Sequence, residues 1–247
     1  MFVKLMKHEI LASYRKFLPI YAAIIILSIL TPLTRDINQN ALFGSIMSIT
    51  VLMMGAVYLF TFYTLIINLG QRVFGKPGYL LFTTPASTLE IIAAKTIINM
   101  LWLMLSAIVG AFAIFSFMFV AFDGQIWDIF ESLFTMIGNN PFETFTVIVA
   151  GITYCFYAIG ILFFLFALLN MIYKGEKKIL FGILLYFVIS QGVGMIAGIF
   201  IGAYVTVFET LFSSIMDLWF FIGVYGIIGL ALYVLTYLII DKKLEIQ

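Results

Sequence analysis

The chain has 247 residues, of which 64% are hydrophobic and only 10% are charged, and its mean hydropathy is +1.17. A formal net charge of +1 offers no basic surface for nucleic acid, and one cysteine and one histidine exclude an intramolecular disulfide and a histidine or thiolate metal site. Apolar stretches longer than the roughly 20 residues that cross about 30 Å of hydrocarbon predict an all-α, polytopic membrane protein.

Residues 1–16 predict an amphipathic helix that lies on the membrane surface. Pro19 disfavours helical geometry at Leu18, so we expect an elbow before the first span. A solvated basic tail is the alternative, and the lack of a small-x-small cleavage site argues against a secretory signal. The apolar face carries Phe2, Val3, Met6, Ile10, Tyr14 and Phe17, and Lys4, His8 and Arg15 lie opposite.

The apolar runs predict a single transmembrane domain over residues 1–247 that contains six spans. Two runs exceed the length of a straight span, and tilt or extension into the interface accounts for the surplus. The spans lie near residues 17–34, 41–68, 91–122, 144–173, 179–208 and 218–240.

Lysine and arginine concentrate at the termini and on alternate connections, which predicts that these parts of the chain lie in the cytoplasm. The opposite connections are acidic, with Arg35 as the exception. The basic residues are Lys4, Lys7, Arg15, Lys16, Arg72, Lys76, Lys95, Lys174, Lys177, Lys178, Lys242 and Lys243, and the acidic ones are Asp36, Asp123, Asp128, Glu131, Glu143, Glu209 and Asp217.

Residues 69–90 form the substantial cytosolic connection between two spans. Lys76-Pro77-Gly78 predicts a tight turn, because proline fixes φ at the first central position and glycine accepts positive φ at the next. Ser87, with Glu90 three residues later, predicts a capping box at the start of the third span. An ordinary loop is the alternative that turn chemistry leaves open.

The pattern Phe74-Gly75-Lys76-x-Gly78-Tyr79-Leu80-x-Phe82-Thr83-x-Pro85-x-Ser87, with Lys95 following, resembles the region after the second span in bacterial permease subunits of type-2 ATP-binding-cassette exporters. The resemblance implies a coupling helix that docks into a separate ATPase subunit, which holds ATP and Mg²⁺. Pro77 departs from the family, in which many members carry an acidic residue there. The implied coupling residues are Arg72, Phe74, Gly75, Lys76, Pro77, Gly78, Tyr79, Phe82, Pro85 and Ser87.

The chain lacks a Gly-x-x-x-x-Gly-Lys-Ser/Thr phosphate loop and the common hydrolase arrangements, so we expect no catalytic residues and no cofactor of its own. No carboxylate lies in the middle of a span, which argues against an ion-driven carrier. The spans also lack the rings of polar residues that would line the pore of a channel. Lys95 is expected to snorkel to the membrane surface, and Asn99 and Gln191 are expected to bridge helices.

Small residues follow one another at four-residue spacing along the fifth span, at Ser190, Gly194, Gly198 and Gly202. Such a ridge lets another helix approach closely in lipid. Packing within the same subunit and packing against a second permease subunit both fit the pattern. The resemblance implies the second, because spans one and five line the interface between two subunits in that family.

Two connections on the acidic side predict further amphipathic segments, a helix capped by Asp123 that ends at residues 138–141 and a shorter segment over residues 209–217. Each is interpreted either as an external gate or substrate-binding surface or as a loop that lies on the membrane.

The features predict a six-span membrane protein, and the resemblance implies a permease subunit of an ATP-driven exporter in a bacterial plasma membrane, paired with an ATPase and with a second permease, identical or related. An amphipathic peptide or a lipid-like molecule is the expected cargo. The alternative is a membrane sensor or immunity protein that binds a peptide at its outer face without transport.

Overall fold

The computed structural model describes residues 2–33, 40–71, 87–121, 131, 134–135, 137–172, 178–208 and 215–243. This part of the chain is all-helical, as predicted, and its six long helices are apolar enough to cross a membrane. The protein is therefore a multi-pass membrane protein. The helices are α1 (Phe2–Leu33), α2 (Asn40–Ile66), α3 (Thr88–Ala121), α4 (Pro141–Ile172), α5 (Lys178–Phe208) and α6 (Ile215–Lys243).

The first helix differs from the prediction at one point. α1 continues as a helix through Leu18 and Pro19, so the expected loss of helical geometry at Leu18 is wrong. One proline removes a single backbone hydrogen bond, and the turns on either side keep theirs. A continuous buried stripe runs past the proline and favours the unbroken helix, because tertiary packing outweighs local preference. The stripe is Ser13, Phe17, Tyr21, Ile24 and Ser28, each at most 9% exposed.

The described chain divides into two compact units, and α2 and α3 contribute to both. One unit comprises residues 4–65 and 101–140, and the other comprises residues 1–3, 66–100 and 141–247. We refer to them as the α1 unit and the α4–α6 unit.

An aromatic stack and a short hydrogen-bond chain hold the α1 unit together. The rings of Phe17 and Trp102 are stacked at 4.5 Å with an interplanar angle of 8°. The Tyr21 hydroxyl lies 2.6 Å from the hydroxyl of Ser106, which lies 2.8 Å from that of Thr61. Helices α1, α2 and α3 are therefore joined by polar contacts inside an apolar layer, where such bonds have little competition from water.

Close approach of α4 and α6 forms the centre of the α4–α6 unit. A Cβ atom at Gly229 would lie 3.1 Å from the ring of Phe156 and 3.5 Å from the Cα of Tyr157. A Cβ atom at Gly160 would lie 3.1 Å from the ring of Tyr233. Because the two glycines have no side chains, α4 and α6 approach closely and gain dispersion contacts that lipid cannot replace.

We predict that Gly229→Val destabilises the protein by about 1–3 kcal/mol, because a branched side chain has no room against Phe156 and the α4 backbone. Thermal unfolding in mild detergent measures the effect. Gly223→Val on the same helix is the matched control, since a Cβ atom at Gly223 meets nothing within 4 Å. Equal melting temperatures for the two variants would contradict this account of the α4–α6 contact.

Candidate functional site

The candidate site is the end of the helices that carries the predicted coupling segment. Ser87 is the only predicted coupling residue within the described part of the chain. The structure around the coupling segment is therefore described from the two elements that flank residues 72–86. The coupling residues outside the described ranges are Arg72, Phe74, Gly75, Lys76, Pro77, Gly78, Tyr79, Phe82 and Pro85.

The predicted capping box at the start of α3 is confirmed. The backbone N–H of Ser87 donates to Oε2 of Glu90 at 3.1 Å, and the backbone N–H of Glu90 donates to Oγ of Ser87 at 3.2 Å. The N–H of Ile91 donates to the carbonyl of Ser87 at 3.1 Å. This reciprocal pairing satisfies two donors at the helix end and sets where α3 begins.

The other flank is a π-helical turn, Ile67–Gln71, at the end of α2, which the sequence analysis did not predict. Gly70 permits the turn to lie against α4, because a Cβ atom there would be 2.7 Å from the ring of Phe166. Leu69 is fully buried beside it. Turns of this kind are rare and occur often at functional sites.

Asn68, Lys95, Thr96 and Asn99 are buried polar residues near this end of α2 and α3, and we call them the α2–α3 polar cluster. Asn68 donates from Nδ2 to Oδ1 of Asn99 at 3.5 Å, so Asn99 bridges two helices as predicted. Lys95 is only 2% exposed, and the prediction that it snorkels to the surface is wrong. It lies on the buried face of α3 with Ile91 and Ile98, which directs its stem into the protein.

The same part of α3 is connected to α6. Thr96 of α3 lies beside Tyr233 of α6, and the Tyr233 hydroxyl donates to the carbonyl of Phe156 at 3.4 Å. Thr96 donates its own proton to the carbonyl of Ile92 at 2.9 Å. Displacement of α3 at this level therefore acts on α4 and α6.

The small ridge of α5 faces away from the described helices. A Cβ atom built at Gly194, Gly198 or Gly202 meets nothing within 4 Å, and Ser190 donates only to the carbonyl of Phe187 on its own helix. Large neighbours such as Met195 and Ile199 are also exposed. Packing within the subunit, one of the two alternatives for this ridge, thus finds no partner among the described residues. Gln191 is likewise exposed, and no bridging contact of its side chain is described.

At the opposite ends of the helices, Asp217 is fully buried in the first turn of α6 and accepts a hydrogen bond from the hydroxyl of Tyr204 at 2.7 Å. The sequence analysis placed Asp217 only among the acidic connections.

Of the amphipathic helix predicted after Asp123, the described positions are helical up to Asn139, and Pro141 begins α4. Phe134 and Ile137 in that helix are exposed.

In chemical terms, the described residues offer hydrogen-bond donors, packed aromatic rings and one buried cation. They contain no group of three or more side chains that could hold a metal ion. Comparisons with protein-family models, with curated proteins and with solved structures found no match.

Proposed function

We propose that the chain is the membrane-spanning permease subunit of an ATP-driven exporter in a bacterial plasma membrane. A separate cytosolic ATPase, which holds ATP and Mg²⁺, binds the coupling segment. A second permease subunit, identical or related, completes the transport pathway. An amphipathic peptide or a lipid-like molecule is the cargo that suits the apolar, aromatic-rich helices.

The observation that carries this proposal is the way both flanks of residues 72–86 are fixed to the helices. The capping box of Ser87 and Glu90 sets the start of α3, and Gly70 holds the preceding π-turn against Phe166 of α4. Thr96 of α3 then lies beside Tyr233 of α6. A push on the segment would reach three helices through these contacts, as rigid-body switching requires.

The charge pattern supports the orientation that the proposal needs. Lysine and arginine flank the coupling segment, and both termini lie on the same side of a six-span chain. The coupling segment is therefore cytosolic in this proposal, and residues 122–140 are external.

Single-cysteine labelling tests this orientation. In a Cys155→Ala background, Asp128→Cys should react with an impermeant reagent added to intact cells, whereas Lys76→Cys should react only after permeabilisation. The charge asymmetry is the physical reason. The reverse labelling pattern would overturn the orientation.

Assembly of two permeases is tested at the small ridge. Gly198→Leu should reduce crosslinking between two copies in native membranes several-fold, because a leucine side chain separates helices that gain contacts only at close range. Gly192→Leu is the matched control, since Gly192 is equally open but lies off the ridge. Unchanged crosslinking and full activity in Gly198→Leu would rule out the ridge as the interface.

Coupling is tested by copurification with an ATPase subunit, which the proposal expects to be encoded in a neighbouring reading frame. Gly78→Val strains a position that the predicted turn places at positive φ, and Tyr79→Ala removes an aromatic anchor. Each should insert normally but weaken ATPase binding by on the order of 30-fold, the value of a strong interface residue. ATP hydrolysis in reconstituted membranes should fall in parallel.

Tyr63→Ala is the matched control for Tyr79→Ala, because Tyr63 is an exposed aromatic residue within α2. Parent-like ATPase binding and hydrolysis in both coupling variants would leave residues 72–86 as an ordinary connection. That result would favour the sensor or immunity protein over the exporter.

A further inference from the structure

Three tyrosines pack together where α4 and α6 meet, and we call them the tyrosine cluster. The ring centroids of Tyr157 and Tyr225 are 4.9 Å apart at an interplanar angle of 77°. The ring centroid of Tyr154 lies 6.0 Å from that of Tyr157 and 6.2 Å from that of Tyr225. Tyr157 is 8% exposed, whereas Tyr154 is 54% exposed. The cluster therefore begins in the core of the α4–α6 unit and reaches the surface of the chain.

The hydroxyl groups of the tyrosine cluster make no hydrogen bond within the described part of the chain. Two other tyrosines of the same unit differ in this respect. The hydroxyl of Tyr204 donates to Asp217 at 2.7 Å, and that of Tyr233 donates to the carbonyl of Phe156 at 3.4 Å. A tyrosine hydroxyl usually finds a partner when its ring is buried. The tyrosine cluster thus keeps hydrogen-bonding capacity that helix packing does not use.

The depth of the cluster excludes the common role of tyrosine in membrane proteins. Tyrosines near the ends of spans place their hydroxyls among the lipid headgroups. Tyr157 lies about 24 Å along the helix axis from Pro141, near the middle of the 32-residue α4. Polar groups without a partner are unfavourable at that depth, because hydrocarbon offers no hydrogen bonds. A ligand that brings its own polar group would satisfy the hydroxyls.

The rings determine the charge of that polar group. The face of an aromatic ring is negative and attracts a cation that lies within about 6 Å of the ring centroid. Because the three centroids are at most 6.2 Å apart, one cation beside the cluster can lie within this range of each ring. α4 contains no lysine or arginine that could neutralise an anion, and the lysines of α6 are at its end, Lys242 and Lys243. The cluster therefore favours a cation over an anion.

We propose that the tyrosine cluster binds the protonated amine of an amphipathic molecule. The N–H groups of the amine donate to the hydroxyl oxygens of Tyr157 and Tyr225, and its positive charge lies against the rings. The apolar part of the molecule lies beside the exposed ring of Tyr154. Binding requires neither an ATPase nor a second copy of the chain, so this site stands independently of the exporter proposal.

Thermal unfolding of the purified protein in mild detergent at pH 7 tests the site with hexylammonium chloride against sodium chloride at the same ionic strength. We expect hexylammonium to raise the Tm of the parent saturably by a few degrees. Hexan-1-ol is the matched neutral probe, because it has the same alkyl chain and a hydrogen-bond donor but no charge. It should give no saturable rise, and a rise equal to that with hexylammonium would contradict a cation site.

Tyr157→Phe is the sharpest variant, because it removes one hydroxyl, keeps the ring and breaks no hydrogen bond among the described residues. It should bind hexylammonium about tenfold more weakly than the parent, since a hydrogen bond to a charged group is lost. Tyr63→Phe is the matched control and should respond as the parent does, because Tyr63 is an exposed tyrosine of α2.

Tyr225→Leu removes a ring together with its hydroxyl and should abolish the saturable response. If Tyr225→Leu does not fold, the comparison of Tyr157→Phe with Tyr63→Phe decides. The proposal is refuted if hexylammonium gives no saturable rise in the parent, if Tyr157→Phe binds hexylammonium as tightly as the parent, or if a folded Tyr225→Leu responds as the parent does.

Discussion

The close approach of α4 and α6 is the interaction on which the α4–α6 unit depends. In lipid the backbone of each helix satisfies its own hydrogen bonds, and apolar side chains gain nothing by leaving lipid for protein. Helices must therefore associate through contacts that lipid cannot supply. Gly160 and Gly229 provide them by admitting the rings of Tyr233 and Phe156, and the Tyr233 hydroxyl adds a bond to the carbonyl of Phe156.

Most polar side chains inside the helices are satisfied locally and carry no functional implication. The hydroxyls of Thr61, Thr146, Thr153 and Thr236 each donate to the carbonyl four residues earlier, which makes them compatible with an apolar layer. The exceptions are informative because they lack such partners. Among the described residues, the exceptions with a fully buried polar atom are Ser13, Ser28 and Trp102 in the α1 unit and Asn99 in the α4–α6 unit. Asn99 lies one helical turn from the buried Lys95.

The polar cluster and the coupling segment share one structural setting. Asn68 belongs to the π-turn that precedes residues 72–86, and Asn99 belongs to the helix that follows them. A force on the proposed coupling segment would act on the junction of α2 and α3 that the Asn68–Asn99 hydrogen bond spans. The exposed ridge of α5 is separate from this junction along the chain. In the proposed function, assembly and coupling thus belong to different helices.

The sequence by itself determined the features that depend on local chemistry. Hydrophobic length placed all six spans, and the spacing of Ser87 and Glu90 predicted the capping box, because both follow from residues that are neighbours in the chain. The tertiary structure decided the features that depend on distant residues. Pro19 stays inside α1 because a buried stripe continues past it, and Gly70 tolerates a π-turn because Phe166 of another helix fills the space. Lys95 is buried and the α5 ridge is exposed for the same reason. Packing between helices fixes which face of a helix meets a neighbour, and hydrophobicity does not reveal that face when every face is apolar.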